Sequence, residues 1–244
     1  MTERLDKFLS NQKIGSRKEV AQFAKKGMIS VNGEVIKKAD IKIDPENDEI
    51  AFQGQLITYR KFIYIMMNKP KGVVSATEDG RDRTVVDLLP DEWKRKGIFP
   101  AGRLDRNTTG LLVITNDGDM AHKMLAPKSH VYKIYRAELE KPVSEGDKEA
   151  FEKGIKYGEI EFLPAELRVP DENEPNVALV RIREGKFHQI KRMFEALDNK
   201  VVELKRLSVG GLRLDETLEE GESRLLDEKE IDIIFNEVIE LNDV

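Results

Sequence analysis

The sequence has 244 residues, of which 39% are hydrophobic and 36% are charged, and its formal net charge at pH 7 is −5. This length suits one large domain or two unequal domains, with enough apolar residues for a substantial core. The absence of cysteine excludes disulfides, thiolate nucleophiles and cysteine-ligated metal sites, and the three histidines lack a metal-ligand spacing. We therefore expect no metal site.

The charges are distributed unevenly along the chain. Residues 1–38 contain nine Lys and Arg against four Asp and Glu, residues 181–213 again contain nine against four, and residues 215–244 contain two against twelve. Because two basic segments are offset by an acidic tail, the net charge does not argue against a phosphate-backbone partner. The N-terminus lacks the apolar stretch of a signal peptide, and no apolar run approaches 18 residues. We therefore expect a cytoplasmic protein without membrane association.

The first 58 residues have the pattern of a small helical module followed by a hairpin. RLDKFL (4–9) places three apolar side chains on one helical face. A capping box at Ser16 predicts that a second helix begins at about Arg17, and Gly27 is suited to end it. Asn-Gly within ISVNGEVI (29–36) predicts a tight β-hairpin. This order of elements, with its basic residues, suits RNA binding.

A larger region is predicted at residues 59–244, after a linker in GQLITYRK (54–61). Its strands outnumber its helices and do not alternate strictly with them, which predicts an α+β fold with a mixed or mostly antiparallel sheet. The predicted strands are KFIYIMMNKPKGVVSA (61–76, broken at Lys69-Pro70), LLVIT (111–115), VYKIYRAEL (131–139), NVALVRIREG (176–185) and KVVELKRLSVGGLRL (200–214). The predicted helices are TVVDLLP (84–90), MAHKMLA (120–126), SEGDKEAFEKG (144–154) and KFHQIKRMFEAL (186–197).

One aspartate, Asp105, lies between Arg103 and Arg106, directly ahead of the apolar run LLVIT (111–115). An aspartate in such a turn-rich segment is commonly a turn or cap residue, and this alternative stays open. However, a loop anchored by a core strand is a frequent place for functional residues. A carboxylate near a guanidinium and shielded from water has a lowered pKa and stays ionised, which is the state that a nucleophile or base needs.

Two sequence resemblances add to this pattern. Residues 3–55 resemble the S4 RNA-binding domain. GRLDRNTTGLLVITNDG (102–118) resembles the signature of the pseudouridine synthases of the ribosomal small-subunit (RsuA) type. Three further elements of that family occur in its order, namely MNKPKGVVSA (67–76), KIYRAEL (133–139) and EGKFHQIKRMF (184–194).

The resemblance implies roles for particular residues. Asp105 matches the catalytic aspartate of the family, and Tyr135 matches its active-site tyrosine, on which a uracil ring can stack. Lys191 and Ile190 match the basic and aliphatic residues that line the site, with Lys191 expected to pair with Asp105. Arg103 is expected to bind a phosphate or to fill the space that a flipped nucleotide leaves.

Three more cations are expected to contact RNA. Arg17 and Lys18 lie in the S4-like segment, and Lys69 lies in the MNKPKG element. His188 is expected to be structural or to contact RNA rather than to act as a catalyst.

The implied activity is the isomerisation of one uridine to pseudouridine in ribosomal RNA, in 16S rRNA or the assembling small subunit. It needs neither a redox cofactor nor a metal, and we expect none. The uridine must be flipped out of its stack to reach Asp105, which would act either as a nucleophile at C1′ or as a base at the 2′ position. We expect the protein to work as a monomer.

Three alternatives remain open at the level of sequence. The chain can instead be a large-subunit rRNA pseudouridine synthase, or a non-catalytic S4-type RNA-binding protein whose second region is a docking platform. A carboxylate glycosidase is the third alternative, but it needs two carboxylates that flank the bond, and no matched element contains a convincing second acid.

Overall fold

The computed structural model describes residues 2–57, 61–94 and 96–244. It divides into two compact units, the first formed by Met1–Phe62 with Pro90–Gly97 and the second by Ile63–Leu89 with Ile98–Val244. The predicted boundary between residues 58 and 59 lies outside the described residues. The α+β class predicted from the sequence is confirmed.

The helices and strands are short, and most of the strands lie in the second unit. The strands are β1 (Glu3–Arg4), β2 (Ile29–Val31), β3 (Glu34–Val35), β4 (Lys42–Ile43), β5 (Ile50–Phe52), β6 (Gln55–Leu56), β7 (Tyr64–Lys69), β8 (Phe99–Ala101), β9 (Thr109–Thr115), β10 (Lys133–Leu139), β11 (Lys156–Tyr157), β12 (Ile160–Glu161), β13 (Glu166–Arg168), β14 (Val177–Ile182), β15 (Val201–Val209), β16 (Leu212–Arg213) and β17 (Ser223–Leu225). The α-helices are α1 (Leu5–Asn11), α2 (Arg17–Lys25), α3 (Gly118–Leu125), α4 (Glu145–Lys153), α5 (Gln189–Glu195) and α6 (Glu228–Asn236), and the 3-10 turns are Asp91–Trp93, Pro127–Ser129 and Leu241–Asp243.

Local sequence signals set the geometry of the first unit. The Ser16 hydroxyl accepts from the Glu19 amide at 3.3 Å, and the Glu19 carboxylate accepts from the Ser16 amide at 2.7 Å, so α2 begins at the predicted residue. Asn32 and Gly33 have φ values of 50° and 80°. A two-residue hairpin of type I′ requires positive φ at both positions, so the predicted hairpin is confirmed.

The core of the first unit lies between its two helices and its sheet. Leu5, Phe8 and Leu9 of α1 are buried, as their shared helical face predicts. The sheet has the order β3-β2-β5-β6. The linker predicted at residues 54–61 is therefore partly wrong, because Gln55–Leu56 pairs with β5 as a strand.

The second unit is built on one sheet with the order β13-β14-β10-β15-β9-β7-β17, to which β16 and β8 are attached through β15 and β9. Its described strand pairs are antiparallel except for β9 with β15, which run parallel. Strands β7 and β9 are almost fully buried, which is why their sequences read as continuous apolar runs rather than alternating ones. The parallel pair brings the start of β9 next to the middle of β15.

Three predicted helices have different ends or a different form. TVVDLLP (84–90) forms turns instead of a helix. Hydrogen bonds between Thr84 and Asp87 close one turn, and Pro90 lacks the backbone N–H that a continuing helix would need. The last predicted helix, at 186–197, is shorter, because the left-handed φ of 53° at His188 delays its start to Gln189. The helix predicted at 120–126 begins two residues earlier, at Gly118, because Asp117 caps it: the Asp117 carboxylate accepts from the Met120 amide.

Within the described residues, no helix combines the length and the apolar character that crossing a bilayer requires.

Candidate active site

Asp105 lies in the loop that leads into β9, and the preceding segment of the chain anchors this loop from both sides. The Ser75 hydroxyl donates to the Leu104 carbonyl at 2.8 Å and accepts from the Leu104 amide at 3.0 Å. The Gly72 amide donates to the Arg106 carbonyl at 2.9 Å, and the Thr108 amide donates to the carbonyl of Asp105 itself at 3.1 Å. These bonds hold the residues around the carboxylate in one conformation, as a preorganised site requires.

Lys69 completes this anchoring. Its side chain is fully buried, and its ammonium donates to three backbone carbonyls, those of Pro70 (2.9 Å), Arg106 (3.2 Å) and Thr108 (3.0 Å). The expected direct contact of Lys69 with RNA is therefore wrong, because its three donors are directed inward. Burial lowers the pKa of Lys69 to about 8, and the nearby negative charge of Asp105 opposes that shift.

The carboxylate of Asp105 faces two side chains from the region around α5. Lys191 Nζ lies 3.1 Å from Asp105 Oδ2, and His188 Nε2 lies 3.5 Å from Asp105 Oδ1. The side chains of Asp105 and Lys191 are each 25% exposed, so the pair is shielded but reachable. Lys191 stabilises negative charge on the carboxylate, and a substrate can still approach it. The structure thus puts His188 into the site, a position that the sequence did not indicate.

The two arginines next to Asp105 in the sequence do not provide its partner. The Arg106 guanidinium turns away and pairs with Asp82 at 3.2 Å. Arg103 is exposed, lines the pocket, and forms no hydrogen bond or ion pair with any described residue. Among the described residues, the carboxylate therefore pairs with the ammonium of Lys191, as the family resemblance implied, and not with a neighbouring guanidinium. Arg103 remains available for an anionic ligand such as a phosphate.

The carboxylate faces a pocket that is open to solvent. Tyr135 from β10 and Ile190 from α5 line it, and both are buried. Behind Tyr135 lies the buried Arg206 of β15, whose guanidinium donates to the Leu111 carbonyl at 2.7 Å and lies 3.5 Å from the Tyr135 hydroxyl. The tyrosine ring is thus fixed by a neighbouring strand, with its position set by the pairing of β10 with β15.

The hydroxyl of Thr108 is a further polar group of the pocket. It is buried, and none of the described residues provides it with a hydrogen-bond partner. A buried hydroxyl without a partner is uncommon in a folded protein. Thr108 was not identified from the sequence, where it reads as an ordinary turn residue.

The chemistry of the pocket is that of a carboxylate supported by cations. Within the ranges that the structure describes, no cluster of three or more potential metal-binding side chains occurs. The lining of the pocket combines the Asp105 carboxylate, the cations Lys191 and Arg103, and the largely apolar side chains of Tyr135 and Ile190.

A second buried lysine, Lys133 on β10, adds to the positive charge of this region. It is 5% exposed, and no described acid forms an ion pair with it. Burial, with the repulsion of Arg206, lowers the pKa of Lys133 to about 8 from its ordinary 10.5. The native state therefore loses the Lys133 proton at lower pH than the unfolded chain does.

We expect Lys133→Met to increase the free energy of unfolding at pH 7 by up to about 3 kcal/mol, because the wild type buries a charge there. Between pH 8 and 10.5 the unfolded chain binds more protons than the native state, so the wild type gains stability as the pH rises and the advantage of the variant disappears. Urea unfolding at pH 7 and pH 10 measures this. Lys200→Met, at an exposed position, is the control. An equal difference in the free energy of unfolding between Lys133→Met and the wild type at both pH values would contradict burial of the ammonium as the cause of the stabilisation.

In the first unit, described by itself, Arg17 and Lys18 are exposed in the first turn of α2. Their side chains are accessible to a polyanion. Lys25 and Lys26 at the other end of the helix and Lys37 after the hairpin are exposed as well.

Comparison with known proteins gives the family. The family model described as RNA pseudouridylate synthase matches residues 63–196, and the S4 domain model matches residues 3–50. An uncharacterized RNA pseudouridine synthase, YtzG of Bacillus subtilis (strain 168), is 45% identical over 95% of this chain and 98% of its own length. Ribosomal small subunit pseudouridine synthase A of Vibrio cholerae is also 45% identical, over 95% of this chain and 99% of its own, and that of Escherichia coli (strain K12) is 40% identical over 93% and 98%.

A solved structure agrees with this result. The crystal structure of a pseudouridylate synthase superimposes with a TM-score of 0.66 at 37% identity, and the match covers 95% of this chain and 99% of that one. The matched family model spans more than half of the chain and contains the whole Asp105 pocket apart from Leu204 of β15. The chain belongs to the RNA pseudouridylate synthase family.

Proposed function

We propose that this protein isomerises one uridine of small-subunit ribosomal RNA to pseudouridine, with Asp105 as the group that reacts at the ribose. The observation that carries the proposal is the Asp105 carboxylate, paired with Lys191 at 3.1 Å and open to a pocket lined by Tyr135. The names of relatives that are 40–45% identical over nearly their full length support the small subunit as the source of the RNA.

The reaction breaks the bond from C1′ to N1 of uracil and forms one from C1′ to C5. As a nucleophile, Asp105 would bond to C1′ while the electron pair of the broken bond leaves with N1; C5 of the turned base would then displace the carboxylate. As a base, it would instead take the 2′ proton and leave a glycal. In both routes C5 finally loses its proton and N1 gains one, and in the glycal route C2′ regains its proton as C5 adds to C1′, so the product has the composition of the substrate. Lys191 stabilises the carboxylate when it is free, and Tyr135 with Ile190 retains the detached base.

The RNA must present the uridine outside its stack, which costs a few kcal/mol and least in a loop or bulge. Arg103 would hold a phosphate beside the pocket. Residues 1–58 would act as an S4 domain, with Arg17 and Lys18 on the RNA backbone. These contacts are mainly electrostatic, so affinity should fall steeply with salt. We further propose that the protein acts in the cytoplasm as a monomer, without a cofactor.

The test is incubation of the protein with unmodified small-subunit and large-subunit rRNA, followed by mapping of carbodiimide-stable adducts by primer extension. A new stop at one uridine of the small-subunit RNA is the expected result. A stop only in the large-subunit RNA would overturn the substrate assignment. RNA binding without any product would overturn the activity and favour a docking platform.

A further inference from the structure

The surface next to the pocket contains two exposed aromatic rings. Among the described residues with large, exposed hydrophobic side chains, Phe187 (62% exposed) and Tyr157 (37%) are the aromatic ones, and the rest are Val or Leu. Both rings lie beside the guanidinium of Arg192, whose carbon is 4.9 Å from the centre of the Phe187 ring and 6.0 Å from that of Tyr157. The exposed aromatic surface of this unit is therefore concentrated around one arginine.

This group is connected to the pocket through His188. The rings of Phe187 and His188 stack, with centroids 3.8 Å apart and planes inclined by 20°, and His188 Nε2 lies 3.5 Å from Asp105. One ring, that of His188, therefore lies between Phe187 and the Asp105 carboxylate. We name Phe187, His188, Tyr157 and Arg192 the aromatic platform.

The backbone holds the platform in place. His188 has a left-handed conformation, with φ of 53°, which costs a non-glycine residue free energy and persists only where surrounding contacts enforce it. The Gln189 side chain accepts from the Lys186 amide at 3.1 Å and donates to the buried Glu184 carboxylate at 2.9 Å. These bonds close the turn around Phe187 and His188. A phenylalanine left exposed on a rigid turn gains little from the fold itself.

We propose that the aromatic platform stacks on an unpaired base next to the uridine that enters the pocket. This inference rests on the proposed function and adds a second contact to it. Extrusion of a uridine removes a stacking partner from its neighbours in the RNA, and aromatic rings and arginine planes are the groups on which proteins stack unpaired bases. Arg192 also brings a positive charge toward the adjoining phosphate.

The experiment uses the full chain and a short RNA hairpin that contains the uridine mapped above. Two further hairpins carry an abasic site at the position before or after that uridine. Affinities are measured in an Asp105→Asn background, so that no turnover occurs, and single-turnover rates are measured with Asp105 intact. The protein variants are Phe187→Ala, Phe187→Tyr and, as a control at an exposed apolar position, Val202→Ala.

We expect Phe187→Ala to weaken binding of the intact hairpin roughly ten- to hundredfold, and Phe187→Tyr to retain the affinity. For the hairpin that lacks the stacked base, the affinity of Phe187→Ala should lie within about twofold of that of the protein with Phe187, because the base on which Phe187 would stack is already absent. Val202→Ala should leave the affinity for the intact hairpin and for both abasic hairpins unchanged.

Two results would overturn the proposal that the aromatic platform stacks on a base. One is an unchanged affinity of Phe187→Ala for the intact hairpin. The other is an equal loss on the intact and both abasic hairpins, which would mean that the ring only supports His188. If the protein with an intact Asp105 still forms pseudouridine in either case, the proposed function stands. If that protein modifies no RNA at all, the proposed function fails and the platform fails with it.

Discussion

Asp105→Asn is expected to lower the rate of pseudouridine formation by about 10⁴-fold or more while RNA binding persists. The substitution preserves the shape of the side chain, but an amide is neither a nucleophile for C1′ nor a base for the 2′ proton. Losses of this size are typical when the one reacting group of an enzyme is removed. Product formation is measured by carbodiimide mapping under single-turnover conditions, and binding by filter retention of the same RNA.

The matched control for this variant is Asp119→Asn, which removes one exposed carboxylate from the first turn of α3. It should retain the rate and lose no more than a few tenths of a kcal/mol to 1 kcal/mol of stability, the usual interaction of an acid with a helix start. Pseudouridine formation by Asp105→Asn within tenfold of the unaltered protein would show that another group carries the reaction.

Gly110→Ala is expected to destabilise the second unit by about 4 kcal/mol or more, which is beyond the usual range for single substitutions. Gly110 has φ of +98°, and a Cβ atom there would lie 2.2 Å from the Arg206 carbonyl oxygen and 2.8 Å from the Arg206 amide nitrogen. Both clashing atoms belong to the backbone of the paired strand, so no side-chain rotation relieves them. Strands β9 and β15 would have to separate where they support the Asp105 loop and Tyr135.

The comparison for this variant is Gly118→Ala. Apart from its chain neighbours and the backbone of its own helix, no described residue comes within 4 Å of a Cβ at Gly118. Its φ is not in the left-handed range, and it is the first residue of α3. It should be neutral or slightly stabilising, because alanine favours a helix over glycine. Guanidinium unfolding of both variants measures the difference. Equal midpoints would contradict the close approach of the two strands.

The sequence segments that form the site could be recognised more easily than the contacts between their side chains. The segments around Asp105, Tyr135 and Lys191 could be identified because each is a recognisable local pattern in the right order. The family resemblance implied Lys191 as the partner of Asp105, whereas the residues next to it in the sequence suggested Arg103 or Arg106. The packing of α5 against the loop places Lys191 Nζ 3.1 Å from the carboxylate, while Arg106 pairs with Asp82.

Lys69 illustrates the same limit. A lysine in a turn after a strand is normally exposed, and the sequence places it beside a proline with no sign of burial. The folded chain surrounds it with three carbonyls, including two from the Asp105 loop. Two of its three partners lie 37 and 39 positions along the chain, so no local pattern reveals its anchoring role.

The sequence by itself determined the features that depend on neighbouring residues: the start of α2 at the Ser16 capping box, the Asn32-Gly33 hairpin, and the apolar strands β7 and β9. Caps and turns are satisfied within a few residues, and strand character follows from continuous burial. The tertiary structure decided the left-handed turn at His188, the contact of His188 with Asp105, and the distance of 3.1 Å at which Lys191 pairs with that carboxylate. Those arrangements arise from close packing and hydrogen bonds between segments distant in sequence, which local propensity does not encode.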